Sequence, residues 1–213
     1  MTYALGPGST PPPPRLVKGP AYAAITTNKA APEDWPTYRH DAARSGHATT
    51  ALPNGLDTSW RTELSGRMSS PVIAAGKVFV AAIDRHAVHA LDAESGRQLW
   101  TFTAGARVDS PPTYYDGLLL FGSRDGWVYA LRASDGVLAW QFRAAPLDRR
   151  MMAFDQLESS WPVHGSLLVE NDELYSVAGR SMFLDGGLRL CRLDPRSAEL
   201  LTEIVLDDHD AGG

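Results

Sequence analysis

The sequence predicts an all-β fold assembled from repeated four-stranded antiparallel sheets, and three observations predict it. Trp60, Trp100 and Trp140 stand 40 residues apart, and Pro71/Pro111, Ala90/Ala130, Leu91/Leu131, Gly96/Gly136 and Phe102/Phe142 keep the same step. Residues 69–102 lie over residues 109–142 without a gap, and residues 160–201 form a looser third copy. Within each copy, runs of four to six residues rich in Val, Leu, Tyr, Phe and Trp alternate with Gly/Asp/Ser turns, the pattern of hairpins. A unit of about 40 residues and four strands matches a blade of a β-propeller. The expected architecture is an incomplete propeller of about three blades plus one strand.

Taken in order, residues 1–34 read as a Pro-rich linker (Pro11 to Pro14) after the end of a preceding blade, Tyr3-Ala4-Leu5-Gly6. Residues 35–55 read as a lead-in strap. Residues 56–206 hold the blades, and their first piece is a lone outer strand, Asp57 to Leu64, carrying Trp60. The blades span about 69–108, 109–146 and 160–206. In the first, strands are expected at Ser70–Ala74, Val78–Ala82, Ala87–Leu91 and Gln98–Thr103. Gly96 and Gly136 close tight turns that favour positive φ. The insertion Ala145 to Glu158 has Met151, Met152, Phe154 and Leu157 at rough helical spacing, so a short helix is expected there. Residues 207–213 are a tail.

A twisted four-stranded sheet cannot bury both faces alone and must stack on its neighbour. Trp60, Trp100 and Trp140 are therefore expected to be structural. Each fills the gap between sheets, with its indole N–H on a backbone carbonyl of the adjoining unit. Propellers close with about four to eight blades, so the chain is expected to be a fragment.

Composition excludes several classes. Lys plus Arg is 20 and Asp plus Glu 25, a formal net charge of −5, which argues against nucleic acid as a partner. Cys191 is the single cysteine, so neither an intrachain disulfide nor a Cys-based zinc site is expected. No apolar run approaches the roughly 18 residues of a spanning helix, and the first residues, MTYALGPGST, lack signal-peptide character. A cytoplasmic protein or an internal piece of an exported one is left.

Two segments, GKVFVAAIDRHAVHALDAESGRQLW (Gly76–Trp100) and GLLLFGSRDGWVYALRASDGVLAW (Gly117–Trp140), resemble the pyrroloquinoline-quinone-like (PQQ-like) propeller repeat. The first copy departs at Arg85-His86, where the repeat has Asp-Gly, and the third has Thr202 in place of the Trp. Upstream, DWPTYRHDAARSG (Asp34–Gly46) is similar to the segment that opens the propeller in quinoprotein dehydrogenases, with Trp35 as anchor and Arg39, Asp41 and Arg44 as polar contacts. The resemblance implies either a quinoprotein dehydrogenase or a non-catalytic propeller of the bacterial envelope or periplasm. The first would need PQQ, a carboxylate base and Ca²⁺ held by oxygen ligands, and many members also carry a vicinal Cys pair. Here that pair is absent, and Asn28, Asn54 and Asn171 sit in no calcium-like setting. No catalytic residue, metal or cofactor is expected in this chain.

Binding residues remain. Arg67 and Arg107 share one repeat position just before an innermost strand, where they approach the axial funnel and suit an anionic ligand, or else pair with acids such as Asp109. The long loop Ala178–Gly187 carries Arg180 and Asp185, and loops on a rigid frame are where ligands bind. His86 and His89 are poorly spaced for a metal, and His164 has no carboxylate nearby in sequence. The expected function is a non-catalytic binding platform whose partners are the remaining blades and a polypeptide. The alternative is part of a PQQ-dependent dehydrogenase with its active site in other blades. A purely structural appendage to another enzyme is the third reading.

Overall fold

The computed structural model describes residues 14–48, 50–51 and 54–208. The expected strand end at Tyr3–Gly6, Pro11–Pro13 and the end of the tail lie outside them. Fifteen strands run in chain order among the described residues: β1 (Leu16–Lys18), β2 (Val72–Ala74), β3 (Lys77–Ala82), β4 (Ala87–Asp92), β5 (Gln98–Thr103), β6 (Thr113–Tyr115), β7 (Leu118–Gly122), β8 (Trp127–Arg132), β9 (Leu138–Arg143), β10 (Arg150–Ala153), β11 (Gln156–Ser159), β12 (Leu168–Glu170), β13 (Glu173–Ala178), β14 (Leu188–Leu193) and β15 (Leu200–Leu206). They form three antiparallel propeller blades: β2-β3-β4-β5, β6-β7-β8-β9 with β1 added to the edge of β9, and β12-β13-β14-β15. The hairpin β10-β11 stands between the second and third.

The repeat in sequence is a repeat in detail. The register shifts at Ala90/Leu91, Ala130/Leu131 and Arg192/Leu193, the same place in each blade. Strand β7 shows why stacking is required. Its Leu119 and Phe121 join Phe79 and Val88 of the first blade in one core. Its Leu118 and Leu120 join Leu174 and Leu193 of the third blade in another. Successive side chains leave a strand on opposite faces, so a sheet packed on both sides carries the unbroken apolar run seen here.

Trp100 and Trp140 bridge blades, and Trp60 docks on the first blade in the same way. Trp60 Nε1 donates to Ala93 O at 2.9 Å, Trp100 Nε1 to Ala133 O at 3.2 Å, and Trp140 Nε1 to Pro195 O at 3.2 Å. Gly96 and Gly136 sit under the indoles. A Cβ on Gly96 would stand 2.4 Å from Trp60, and one on Gly136 would stand 2.7 Å from Trp100. Ala198 holds the corresponding turn of the third blade at φ 57°.

Three expectations are corrected. Asp57–Leu64 forms no strand: it docks through Trp60 and through Thr62 Oγ1, which donates to Gly96 O at 2.6 Å, and no described strand lies beside it to form a ladder. The insertion is the hairpin β10-β11 rather than a helix. Phe154 and Asp155 adopt φ of 52° and 59°, the two-residue turn that a right-twisted hairpin needs, and an apolar run this short carries no decisive period. The stretch after the prolines is more than a linker. Strand β1 pairs with β9, Leu16 opposite Phe142, Ala21 is buried, and Tyr22 Oη donates to Ser197 O at 3.1 Å. Three paired residues are too few to show a period of two. At Arg85-His86 the turn survives without Asp-Gly, because His86 takes the left-handed conformation at φ 57°.

The strap runs along the inner edge of the blades. Trp35 and Ile73 exchange both backbone bonds, and Tyr114 N donates to Pro36 O at 2.7 Å, so otherwise unpaired edges are satisfied. Arg44 fixes the strap through Thr37 Oγ1 and Tyr38 O, each at 2.8 Å, and Leu167 O at 3.1 Å. Asp41 accepts from Ser45 N at 2.9 Å.

Candidate binding cavity

Four segments that approach or link strands converge at one end of the blades. The run into β6 brings Arg107, the β7–β8 turn brings Arg124, β11 brings Glu158, and the β13–β14 loop brings Arg180. Backbone bonds hold them in step: Arg124 N donates to Arg107 O at 2.9 Å and Ser159 N to Arg124 O at 2.7 Å. Glu158 is fully buried, which a glutamate tolerates only when paired. Arg107 Nε donates to its Oε1 at 2.8 Å, and Arg107 Nη2 binds the same oxygen. Arg124 Nη1 and Arg180 Nη2 donate to Oε2 at 3.1 and 2.8 Å. Arg124 Nε reaches Asp109 Oδ2 at 2.5 Å.

The electrostatics follow from this arrangement. Burial alone would raise the Glu158 carboxyl. The hydrogen bonds from Arg180 and Arg107 and the charge of Arg124 outweigh it and hold the carboxyl below its ordinary value. Burial lowers Arg124, but Asp109 and Glu158 raise it by more, so its guanidinium is held more firmly charged than usual. Behind the cluster, Tyr129 Oη donates to Asp125 Oδ2 at 2.6 Å. Burial pushes the Asp125 carboxyl up, and burial together with Asp125 pushes the Tyr129 phenol up.

In front of the cluster is a cavity of about 380 Å³ lined by Arg67, Ile83, Arg107, Asp109, Arg124 and Phe154. Phe154, at the tip of the β10-β11 turn, lies over the guanidinium of Arg107 at 4.6 Å and of Arg124 at 5.7 Å. Arg67 stands at the open side, joined to Asp84 at 3.3 Å.

Of the residues expected from sequence, Arg67, Arg107 and Asp109 share this cavity, and Arg180 lies behind it through Glu158. Arg107 takes Glu158 as its partner, and Asp109 takes Arg124. Asp185 does not line the cavity. It pairs with Arg149 and accepts Trp161 Nε1 on its backbone oxygen at 3.1 Å, tying the long loop to the base of the hairpin. Sequence reasoning missed Glu158, Arg124 and Phe154. Arg124 stood in plain sight as the arginine of the Ser-Arg-Asp-Gly turn. Glu158 had no local signal, because its burial depends on three arginines distant in sequence.

A second concavity, about 430 Å³, lies between the strap and the inner strands and includes Asp34, Thr37, His40, Asp41, Tyr115 and Asp172 in its lining. Tyr115 Oη donates to Asp172 Oδ1 at 2.7 Å. Burial and Asp172 push the phenol up to about 12.

Calcium-dependent quinone chemistry needs a converging set of oxygen ligands. Among the described residues no group of three His, Cys, Asp or Glu side chains converges. Cys191 is buried, and burial pushes its thiol up to about 11. Among the described residues no helix is long and apolar enough to cross a membrane.

Stacked four-stranded blades with indoles bridging them define the class as a PQQ-like propeller. A family model described as "Outer membrane protein assembly factor BamB" matches residues 46–212, and the chain belongs to that family. The BamB of Burkholderia pseudomallei is 32% identical over 96 residues, covering 44% of this chain and 25% of that protein. A 1-butanol dehydrogenase (cytochrome c) of Thauera butanivorans is 30% identical over 135 residues, covering 54% and 19%. The chain thus matches a quarter or less of the length of these relatives. Among solved structures, the quinohemoprotein alcohol dehydrogenase ADHIIG of Pseudomonas putida is similar with a TM-score of 0.66 at 18% identity, covering 90% of this chain and 29% of that one. That of Comamonas testosteroni gives 0.63 at 22%, covering 89% and 29%. These likenesses show the fold.

Proposed function

We propose that the chain is a segment of a non-catalytic PQQ-like propeller that serves as a docking platform for a polypeptide in the bacterial envelope. The observation that carries this reading is an exposed apolar surface on the hairpin beside the arginine cavity and on the loop tied to that hairpin. Hairpin β10-β11 exposes Met152, Phe154 and Leu157, and the neighbouring loop exposes Phe183 and Leu184, with Phe154 and Phe183 72% and 73% exposed. Arg149 and Asp185 hold the two elements together. Exposed aromatic and methionine side chains beside arginines are the composition of protein interfaces. The family description supports the envelope and the assembly role.

Further blades of a longer chain would cover the third blade, whose outer face presents Leu190, Thr202 and Ile204 around a shallow hollow. On this reading the chain needs no PQQ and no calcium. The test is site-specific photo-crosslinking of the full-length protein in envelope preparations. Probes at 154 and 183 are expected to capture one polypeptide that a probe at Leu56 does not. Equal labelling from all three positions overturns the proposal.

The second reading, part of a PQQ-dependent dehydrogenase, is favoured by the butanol dehydrogenase relative. Reconstitution of the full-length protein with PQQ and Ca²⁺, followed by a dye-linked alcohol assay, decides it: turnover establishes that reading and its lack removes it.

A further inference from the structure

We propose that the cavity in front of Glu158 is a recognition pocket for one carboxylate, with Phe154 as its movable wall. The arginines are only partly engaged. Arg107 spends Nε and Nη2 on Glu158, and Arg124 spends Nε on Asp109 and Nη1 on Glu158. Arg107 Nη1 and Arg124 Nη2 have no acceptor among the described residues, and both side chains line the cavity. Arg67 at its mouth uses one nitrogen, Nη2, on Asp84. Guanidinium forks match carboxylates geometrically.

Charge selects the ligand. The network around Glu158 holds three guanidiniums, Arg107, Arg124 and Arg180, against two carboxylates, Asp109 and Glu158, and the separate pair Arg67–Asp84 beside it is neutral. One positive charge is left in a chain whose formal net charge is −5. A monoanionic carboxylate neutralises it, whereas a phosphate dianion would leave the site net negative. The buried side chain of Ile83 supplies an apolar wall beside the remaining charge. Phe154 stacks over both guanidiniums by cation–π contact, so an entering carboxylate competes with the ring for them.

The pocket deepens the docking reading and rests on it for the source of the carboxylate, which is an acidic side chain or the C-terminus of a docked polypeptide. The test is calorimetric titration of the full chain with four probes. They are propionate, an acetylated and amidated pentapeptide with a central Glu, the same peptide with Gln, and inorganic phosphate. Propionate and the Glu peptide are expected to bind saturably, and the Gln peptide and phosphate are not. A Gln peptide with a free C-terminus then separates terminal from side-chain carboxylates.

Arg67→Gln, at an exposed position that leaves Glu158 paired, is expected to weaken binding about five- to tenfold, the effect of one charge-assisted hydrogen bond. Phe154→Ala is expected to tighten propionate about two- to fivefold by removing the competing ring. Equal binding of Glu and Gln peptides, tighter binding of phosphate, or affinities unchanged in both variants overturns the pocket. Carboxylate binding without a crosslinked partner keeps the pocket and removes the docking reading, and the reverse outcome removes the pocket alone.

Discussion

Trp140 is fully buried and Gly136 has a φ of 73° directly under Trp100. These two residues carry the blade-to-blade contact in different ways. Trp140→Ala removes a large buried ring and is expected to cost about 3–5 kcal/mol, while Trp140→Phe loses mainly the bond to Pro195 O and costs about 1–2 kcal/mol. Urea unfolding of the three proteins measures the difference. Gly136→Ala drives a methyl into the Trp100 indole in a conformation that L-residues disfavour. A carboxylate behaves differently. The folded pKa of Glu158 is depressed below its ordinary value of 4.5, so its stabilising effect is present above that value and lost as pH falls through the lower folded pKa. Wild-type stability is therefore expected to drop below about pH 4.5. Glu158→Gln flattens that acid limb but is less stable at neutral pH by about 3–5 kcal/mol, because three guanidiniums lose their carboxylate. Unfolding curves from pH 3 to 7 check both parts.

Among the elements, β1 is the addition that the repeat does not require. It caps the outer edge of the middle blade, and Arg143 N donates to Arg15 O at 2.7 Å. Arg15 Nη1 also reaches Glu203 of the third blade at 2.7 Å, so a short segment ties two blades together at the rim. A Cβ on Gly19 would stand 2.2 Å from Leu138 O. Gly19→Ala is expected to lift β1 off β9 and to speed amide exchange at Arg143 by roughly tenfold or more, an opening eased by about 1.4 kcal/mol. Unchanged protection at Arg143 would show that β1 holds without close approach at Gly19. The hairpin β10-β11 teaches the complementary lesson. Its apolar residues look helical when counted by threes and fours, yet Phe154-Asp155 turns the chain back on itself and presents Glu158 inward at an alternating position.

At the scale of the molecule, the third blade ends the described arc with an apolar face that no described sheet covers. Leu201, Ile204 and Leu206 are exposed along β15, and Thr202 stands where the first two blades have Trp100 and Trp140. Uncovered edges and faces of this kind associate. The chain on its own is expected to sediment as larger species with rising concentration, and Ile204→Lys with Leu206→Lys is expected to shift it to the monomer. Concentration-independent monomers of the unaltered chain would contradict this.

The sequence by itself determined the blades: the 40-residue step of Trp60, Trp100 and Trp140, the glycines beneath the indoles and the alternation along each strand all act locally or between identical neighbours. It also placed Arg67, Arg107 and Asp109 near one another, because equal repeat positions lie at equal heights on stacked sheets. Only the tertiary structure decided that Glu158 is buried among Arg107, Arg124 and Arg180, that Phe154 lies over Arg107 and Arg124, and that residues 15–46 run from the rim to the inner edge as strand and strap. Those contacts join segments that break the repeat, and a side chain's partner across tens of residues leaves no period in the chain to read.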